Sequence, residues 1–240
     1  SRFLLNNFIS ATDRDLMPLP DRIITNGSYA AKLLSRSGYH SGQVVCGGSM
    51  RYRHLPGWLD GDKVLLRRGN GRPRVLVTPP ISYAETIDLL RKVIRAFALS
   101  EDLSVVIKCH PSMPFERVAS ALDVSALPAH ITVSKEPVNI LLREAAVLVY
   151  TGATFPPIEA LAVGVPVVYV EPEFALDLDP LGAYPSVRLS ARSSEEILES
   201  ARKCVRGDTA FVGEKREHLR RILRELIGKV DENTCELFVR

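Results

Sequence analysis

Val147-Leu148-Val149-Tyr150-Thr151-Gly152-Ala153-Thr154 runs on through Phe155-Pro156-Pro157-Ile158-Glu159-Ala160-Leu161-Ala162 into Val163-Gly164-Val165-Pro166-Val167-Val168-Tyr169-Val170. It reads as a buried strand, a turn of small residues, a short helix and a second buried strand. A turn of small hydroxylated residues opening a helix at a strand's C-terminal end gathers backbone N–H groups and the positive end of the helix dipole. Those features hold phosphate in α/β proteins. Thr151 and Thr154 each offer a hydroxyl, and Gly152 with Ala153 lets backbone approach a ligand closely. The same pattern also fits a plain turn whose threonines satisfy helix-start N–H groups. Glu159, one helical turn further in, can accept hydrogen bonds from a ribose or simply complement the dipole. Its place beside Ile158, Ala160 and Leu161 favours a hydroxyl partner.

Outward from this stretch the pattern repeats. Arg74 to Thr78 is a strand, Pro79 to Ser82 a loop, and Tyr83 to Ala98 a helix with Ile87, Leu90, Val93, Ile94 and Phe97 on one face. Ser104 to Lys108 is the next strand, followed by Cys109-His110-Pro111, a helix from about Phe115 to Leu122, a strand at Ile131 to Val133 and a helix at Val138 to Glu144. After Val170 come a last short strand at Ser186 to Leu189, a helix capped at Ser193-Ser194-Glu195-Glu196, and terminal helices at Glu214 to Ile227 and Glu232 to Val239. Upstream, Asp21 to Cys46 reads as one β-α-β unit. Its helix, Tyr29 to Ser37, is capped by Ser28 and stopped by Gly38. Pro and Gly then mark a linker from Arg51 to Arg74. These signals divide the chain into a partial N-terminal domain with linker, 1–66, and a larger domain with the C-terminal helices, 67–240.

Alternating strands and helices predict an α/β fold with a doubly wound parallel sheet, whose ligands bind at the strands' C-terminal ends. Three loops share that edge: Thr78 to Ser82, Cys109 to Met113 and Thr151 to Thr154. Pro111 keeps His110 extended beyond its strand, where an imidazole can donate to a phosphate oxygen. A His-Pro dipeptide alone also fits an ordinary loop; the shared edge favours a ligand role.

With 46% hydrophobic and 25% charged residues in 240, the chain is globular and has room for one large domain or two small ones. No apolar run reaches the roughly 18 residues of a membrane span, so any membrane attachment must be peripheral. The net charge of +3 is mild. Lysine and arginine cluster at Arg67, Arg68, Arg72 and Arg74 and from Lys215 to Arg224, and read as solvated faces or as a surface for anionic lipid or acidic glycan. Nucleic acid is not indicated, because these runs lack interleaved aromatics. Cys46, Cys109, Cys204 and Cys235 lie far apart, which indicates neither a zinc site nor a disulfide framework and fits a reducing cytoplasm. Ser1 to Ser10 has no signal-peptide pattern, and a start without Met in mid-fold predicts a piece of a longer protein.

The order of strand, Lys108-x-His110-Pro111, small-hydroxyl turn, Glu159-Ala160-Leu161 and Gly164-x-Pro166-Val167-Val168 resembles the C-terminal nucleotide-binding domain of GT-B glycosyltransferases. It is most similar to the bacterial capsule and surface-polysaccharide group: polysialyltransferases, Kdo transferases and teichoic-acid polymerases. The segment Val45 to Tyr52 resembles the last piece of the N-terminal domain in those enzymes, so the resemblance runs from about Asp21 to Glu171.

The resemblance implies metal-independent, inverting glycosyl transfer from a CMP-, CDP- or UDP-linked sugar to a glycan acceptor at the cytoplasmic side of a membrane. His110 takes the role of the histidine that touches the donor phosphate or stabilises the departing nucleotide. Lys108, Pro111, Thr151, Gly152, Ala153, Thr154, Glu159, Thr78 and Ser82 form the donor-binding set. Thr151-Gly152-Ala153-Thr154 departs from the family's adjacent hydroxyl pair, and the Thr78 to Ser82 loop lacks the glycines some members carry. The general base is expected from an N-terminal domain, and neither Asp13 nor Asp15 is a convincing candidate. A sugar-nucleotide 2-epimerase of the same fold and a non-catalytic nucleotide-binding or interaction domain are the competing readings.

Overall fold

The computed structural model describes residues 12, 16, 18, 20–36, 44–52, 71–122, 124, 126–173, 178–207, 214–228, 234 and 237. The chain forms two compact units, Ser1–Lys63 with Arg216–Arg240, and Val64–Lys215. In the first, β1 (Ile23–Thr25) and β2 (Val44–Cys46) pair in parallel around α1 (Ser28–Arg36).

In the second unit, β3 (Arg74–Thr78), β4 (Ser104–Ile107), β5 (Ile131–Val133), β6 (Ala145–Tyr150), β7 (Val167–Val170) and β8 (Leu189–Ala191) form one sheet. Its strand order is β5-β4-β3-β6-β7-β8 and every pair is parallel. The chain winds outward from β3 through β4 to β5, then returns to lay β6 on the other side of β3. The direction of winding therefore reverses between β3 and β6, which opens a crevice beyond their C-terminal ends. This is the expected doubly wound, Rossmann-like GT-B-type domain.

The helices of this unit are α2 (Tyr83–Phe97), α3 (Val138–Leu141), α4 (Pro156–Ala162) and α5 (Ser194–Arg206). Apolar residues cover both faces of the sheet, so its central strands are continuous hydrophobic runs and all of β7 is buried. Strand alternation sends Val75, Val77, Val147, Val149, Val168 and Val170 to a core closed by Leu89, Leu90, Val93 and Phe97 of α2 and Ile197 and Ala201 of α5. Leu76, Leu148, Tyr150 and Tyr169 are equally buried outside that cluster. The cap expected at Ser193 forms, with Ser193 Oγ accepting from the Glu196 N–H at 3.2 Å, and Gly207 closes α5 in the left-handed region.

In the first unit, the Ser49 N–H donates to the Ile227 carbonyl, at the end of α6 (Glu214–Ile227), at 2.8 Å. Several boundaries move. The helix expected from Phe115 to Leu122 is two 3₁₀ turns, Phe115–Arg117 and Ala119–Ala121, joined through Val118 at φ −111. A segment this short gains too few i→i−4 bonds to offset helix nucleation, and the tighter turns close instead. Pro185 starts another 3₁₀ turn, Pro185–Val187, which displaces the last strand from Ser186–Leu189 to Leu189–Ala191. Helix α3 stops at Leu141. Most of the helix expected at Glu232 to Val239, and Arg67 and Arg68, lie outside the described residues.

The segment after β7 is pinned by a buried polar cluster. Asp179 Oδ1 accepts from the Tyr150 hydroxyl at 2.8 Å and from the Leu181 N–H at 2.9 Å. Arg188 Nε lies 2.5 Å from Asp179 Oδ2, a close ion pair whose N–H is not aligned as a hydrogen bond. The guanidinium sits 4.6 Å over the Tyr169 ring. Burial foremost, then the Asp179 carboxylate, raises the Tyr150 phenol above its ordinary range. An unfolded tyrosine ionises near about pH 10, so this contribution to stability is complete below that pH. It is lost progressively above it, where the unfolded chain releases a proton that the folded chain keeps. The urea midpoint is expected to fall as pH rises beyond about 10, with a shallower fall in Tyr150→Phe. Equal slopes in the two proteins would show that Tyr150 does not carry the dependence.

Candidate functional site

Strand register sets the site. Thr78 pairs with Tyr150 and Val77 with Ile107, so the loops following β3, β4 and β6 leave the sheet at one level. Adjacent strands lie about 4.8 Å apart, which brings these loops to one edge with β3 in the middle. That edge is the crevice of the winding reversal.

Each expected residue can now be placed. His110 is exposed beyond β4, and its Nδ1 accepts from the Ser112 N–H at 3.1 Å. In the neutral ring the proton then sits on Nε2, leaving that nitrogen a donor. Pro111 is exposed in the same turn, and the Met113 N–H, donating to the His110 carbonyl at 2.9 Å, closes it. Lys108 Nζ donates to the Lys135 carbonyl at 3.0 Å, so the ammonium ties the loops after β4 and β5 together. Cys109, beside His110, is no thiolate nucleophile: burial foremost, then Glu116, pushes its thiol up to about 11.

In the turn after β6, Gly152 holds φ +61, a conformation that favours glycine. The backbone N–H groups of Gly152 and Ala153 have no hydrogen-bond acceptor among the described residues, whereas the Thr154 N–H donates to the Gly152 carbonyl at 3.1 Å. Successive N–H groups left without an acceptor are the kind of feature that can receive an anion. The Thr151 hydroxyl is turned away from this role: Thr151 is buried, and its Oγ1 donates to the Val170 carbonyl at 2.6 Å. The donors this turn leaves open at 152 and 153 are therefore backbone N–H groups. Helix α4 has seven residues and begins with Pro156 and Pro157, which carry no N–H. Ala153 is exposed, Thr154 half-buried, and Glu159 buried in the first turn of α4.

On the β3 side, Ser82 is exposed and occupies the N-cap position of α2 without making a side-chain cap. Thr78 is buried, and its Oγ1 has no hydrogen-bond partner among the described residues. Sequence reading passed over Glu85. Its spacing from Ser82 is that of a capping box, Ser-x-x-Glu, which disguises it as an ordinary helix start. Ser193 and Glu196 have the same spacing and do cap, with Glu196 Oε2 also accepting from the Arg192 N–H at 2.7 Å. Glu85 does not. It is 9% exposed, its Oε1 has no partner among the described residues, and that oxygen lies 2.8 Å from where a Cβ on Gly152 would sit. Ile81, Tyr83 and Phe155, at the starts of the same loops and helices, expose apolar surface along this edge.

No protein-family model matches the chain, and no curated protein matches its sequence. Solved structures match in fold. The glycotransferase of kitacinnamycin superposes with a TM-score of 0.61 at 18% identity, over 95% of this chain and 56% of that one. A calicheamicin glycosyltransferase gives 0.57 at 17% identity, over 99% and 57%. The UDP-GlcNAc 2-epimerase from Neisseria meningitidis, bound to UDP-GlcNAc, gives 0.58 at 14% identity, over 98% and 65%. This chain thus spans between a half and two thirds of the length of these structures, and the likeness is one of fold. Among the described residues no helix is long and apolar enough to cross a membrane.

Proposed function

We propose that the chain is the donor-binding half of a glycosyltransferase that moves a sugar from a nucleotide-sugar to a surface-polysaccharide acceptor, at the cytoplasmic face of a membrane. The unit Val64–Lys215 holds the nucleotide-sugar. The observation that carries this reading is the convergence of His110, the Gly152 and Ala153 N–H groups and Thr78 on the edge where the winding reverses. The acceptor oxygen bonds to the anomeric carbon as the bond from that carbon to the phosphate oxygen breaks. The acceptor's proton passes to a base from outside the described residues. His110 Nε2–H and the two backbone N–H groups offset the charge that grows on the departing phosphate, a task that needs no metal ion. Glu159 accepts from the ribose.

The test is titration with CMP, CDP, UDP and GDP. A hydrogen bond to a charged group contributes about 1.5–3 kcal/mol, so His110→Ala and Glu159→Gln are each expected to weaken binding by about tenfold or more. Unchanged affinity in both variants would return these residues to ordinary loop and helix roles.

The fold likeness to a 2-epimerase, comparable in TM-score to that with the glycosyltransferases, favours epimerisation of the same substrate class as the second reading. Incubation with UDP-GlcNAc separates the two: a C2 epimer appearing without any acceptor would establish epimerisation. Nucleotide binding without turnover of either kind would leave a binding domain.

A further inference from the structure

We propose that Glu85 and Thr78 form a hydroxyl-recognising pair in the crevice, one that selects the polyhydroxyl part of the ligand while the turn after β6 takes its phosphate. The assignment rests on the nucleotide-sugar reading above. Two polar side chains, each more than nine-tenths buried, hold oxygens without a hydrogen-bond partner among the described residues: Thr78 ends β3, and Glu85 stands in the first turn of α2, the helix that follows it, against Gly152 at the end of β6. Proteins leave few buried polar atoms unpaired, and those they keep call for a partner. A carboxylate oxygen accepts hydrogen bonds, so the group that answers it is a donor. The oxygens of an ionised phosphate carry no proton to donate. Nor do three His, Cys, Asp or Glu side chains gather anywhere among the described residues to make a cation site. A ligand hydroxyl meets the requirement, donating to Glu85 Oε1 while Thr78 Oγ1, both donor and acceptor, binds a neighbouring one.

The position fits this division of labour. Because Glu85 packs against Gly152, a ligand whose phosphate sits on the Gly152 and Ala153 N–H groups places its adjoining sugar beside the carboxylate. The failed capping box has the same explanation: Glu85 gives up the local bond that Glu196 makes in α5.

The test joins stability to binding in Glu85→Met, Glu85→Gln and Thr78→Val. A residue kept for ligand recognition weakens the empty protein, so Glu85→Met, which fills the same space without an orphaned oxygen, is expected to raise the thermal midpoint by about 2–4 °C. The same variant should lose about tenfold or more in affinity for UDP-GlcNAc or UDP. Glu85→Gln and Thr78→Val should lose affinity while remaining folded. Equal loss for UDP and UDP-GlcNAc assigns the hydroxyl to the ribose; loss confined to UDP-GlcNAc assigns it to the transferred sugar. Wild-type affinity for both in any folded Glu85 variant, or a lowered midpoint in both Glu85 variants, overturns the proposal and leaves the nucleotide reading intact. Failure of the wild-type chain to bind CMP, CDP, UDP, GDP or UDP-GlcNAc refutes the nucleotide reading, and this assignment with it.

Discussion

Asp179→Ala is expected to cost about 3–5 kcal/mol of folding stability, because it strands the Arg188 guanidinium in a buried setting. The Asp179 side chain is fully buried and that of Arg188 is 9% exposed. The carboxylate answers three groups at once: the Tyr150 hydroxyl, the Leu181 N–H and the guanidinium. Its removal therefore loosens the segment after β7 from both β6 and the approach to β8. Guanidinium unfolding measures the effect. The double variant Asp179→Leu with Arg188→Met should recover most of the loss, since a buried pair replaced by apolar side chains of similar size is often neutral. A cost below about 1 kcal/mol, the range of exposed pairs such as Lys203 with Glu199, would show that the cluster does not anchor this segment.

Gly152→Ala carries the second large effect, and it falls on the site. A non-glycine residue in the left-handed region costs about 1–2 kcal/mol. The new Cβ would also sit 2.8 Å from Glu85 Oε1, closer than packed atoms tolerate, so the carboxylate or the turn must shift. A shift of the turn displaces the Gly152 and Ala153 N–H groups, and a shift of the carboxylate moves Glu85 Oε1 from its place against Gly152. Nucleotide affinity is expected to fall by about tenfold or more, with a lower unfolding midpoint. Combining Gly152→Ala with Glu85→Ala removes the collision and leaves the backbone strain, so stability should recover in part while binding does not. Full affinity in Gly152→Ala would separate this turn from the ligand.

The architecture was legible because the sheet is buried on both faces: its strands appear as short apolar runs, and the residues that end them appear as Gly, Pro and hydroxyl side chains. The run Val147 to Tyr150 paired with Val167 to Val170 needed no long-range information. Elements whose form depends on partners far along the chain were less legible. The Thr151 hydroxyl looks like a phosphate donor until β7 supplies the Val170 carbonyl that captures it. Arg188 belongs to no periodic pattern, and its meeting with Asp179 and Tyr169 exists only once the segment after β7 folds back. Glu85 was hidden for the opposite reason: local rules explain it too readily, and only its failure to cap, set beside the cap that Ser193 and Glu196 do make, exposes it. The paired prolines at 156 and 157 were in plain view, and they remove two N–H groups from the start of α4, so the open donors of this turn are those of Gly152 and Ala153.

In the proposed function a nucleotide sits on the sheet edge where the winding reverses between β3 and β6. Amide shift mapping by NMR during titration with CMP, CDP, UDP and GDP tests it directly. The expected result is saturable movement of the amides of Gly152 and Ala153, together with those of the Thr78 to Ser82 and Cys109 to Met113 loops, for at least one nucleotide. Saturation that leaves these amides unmoved, or no response to any of the four, would contradict it.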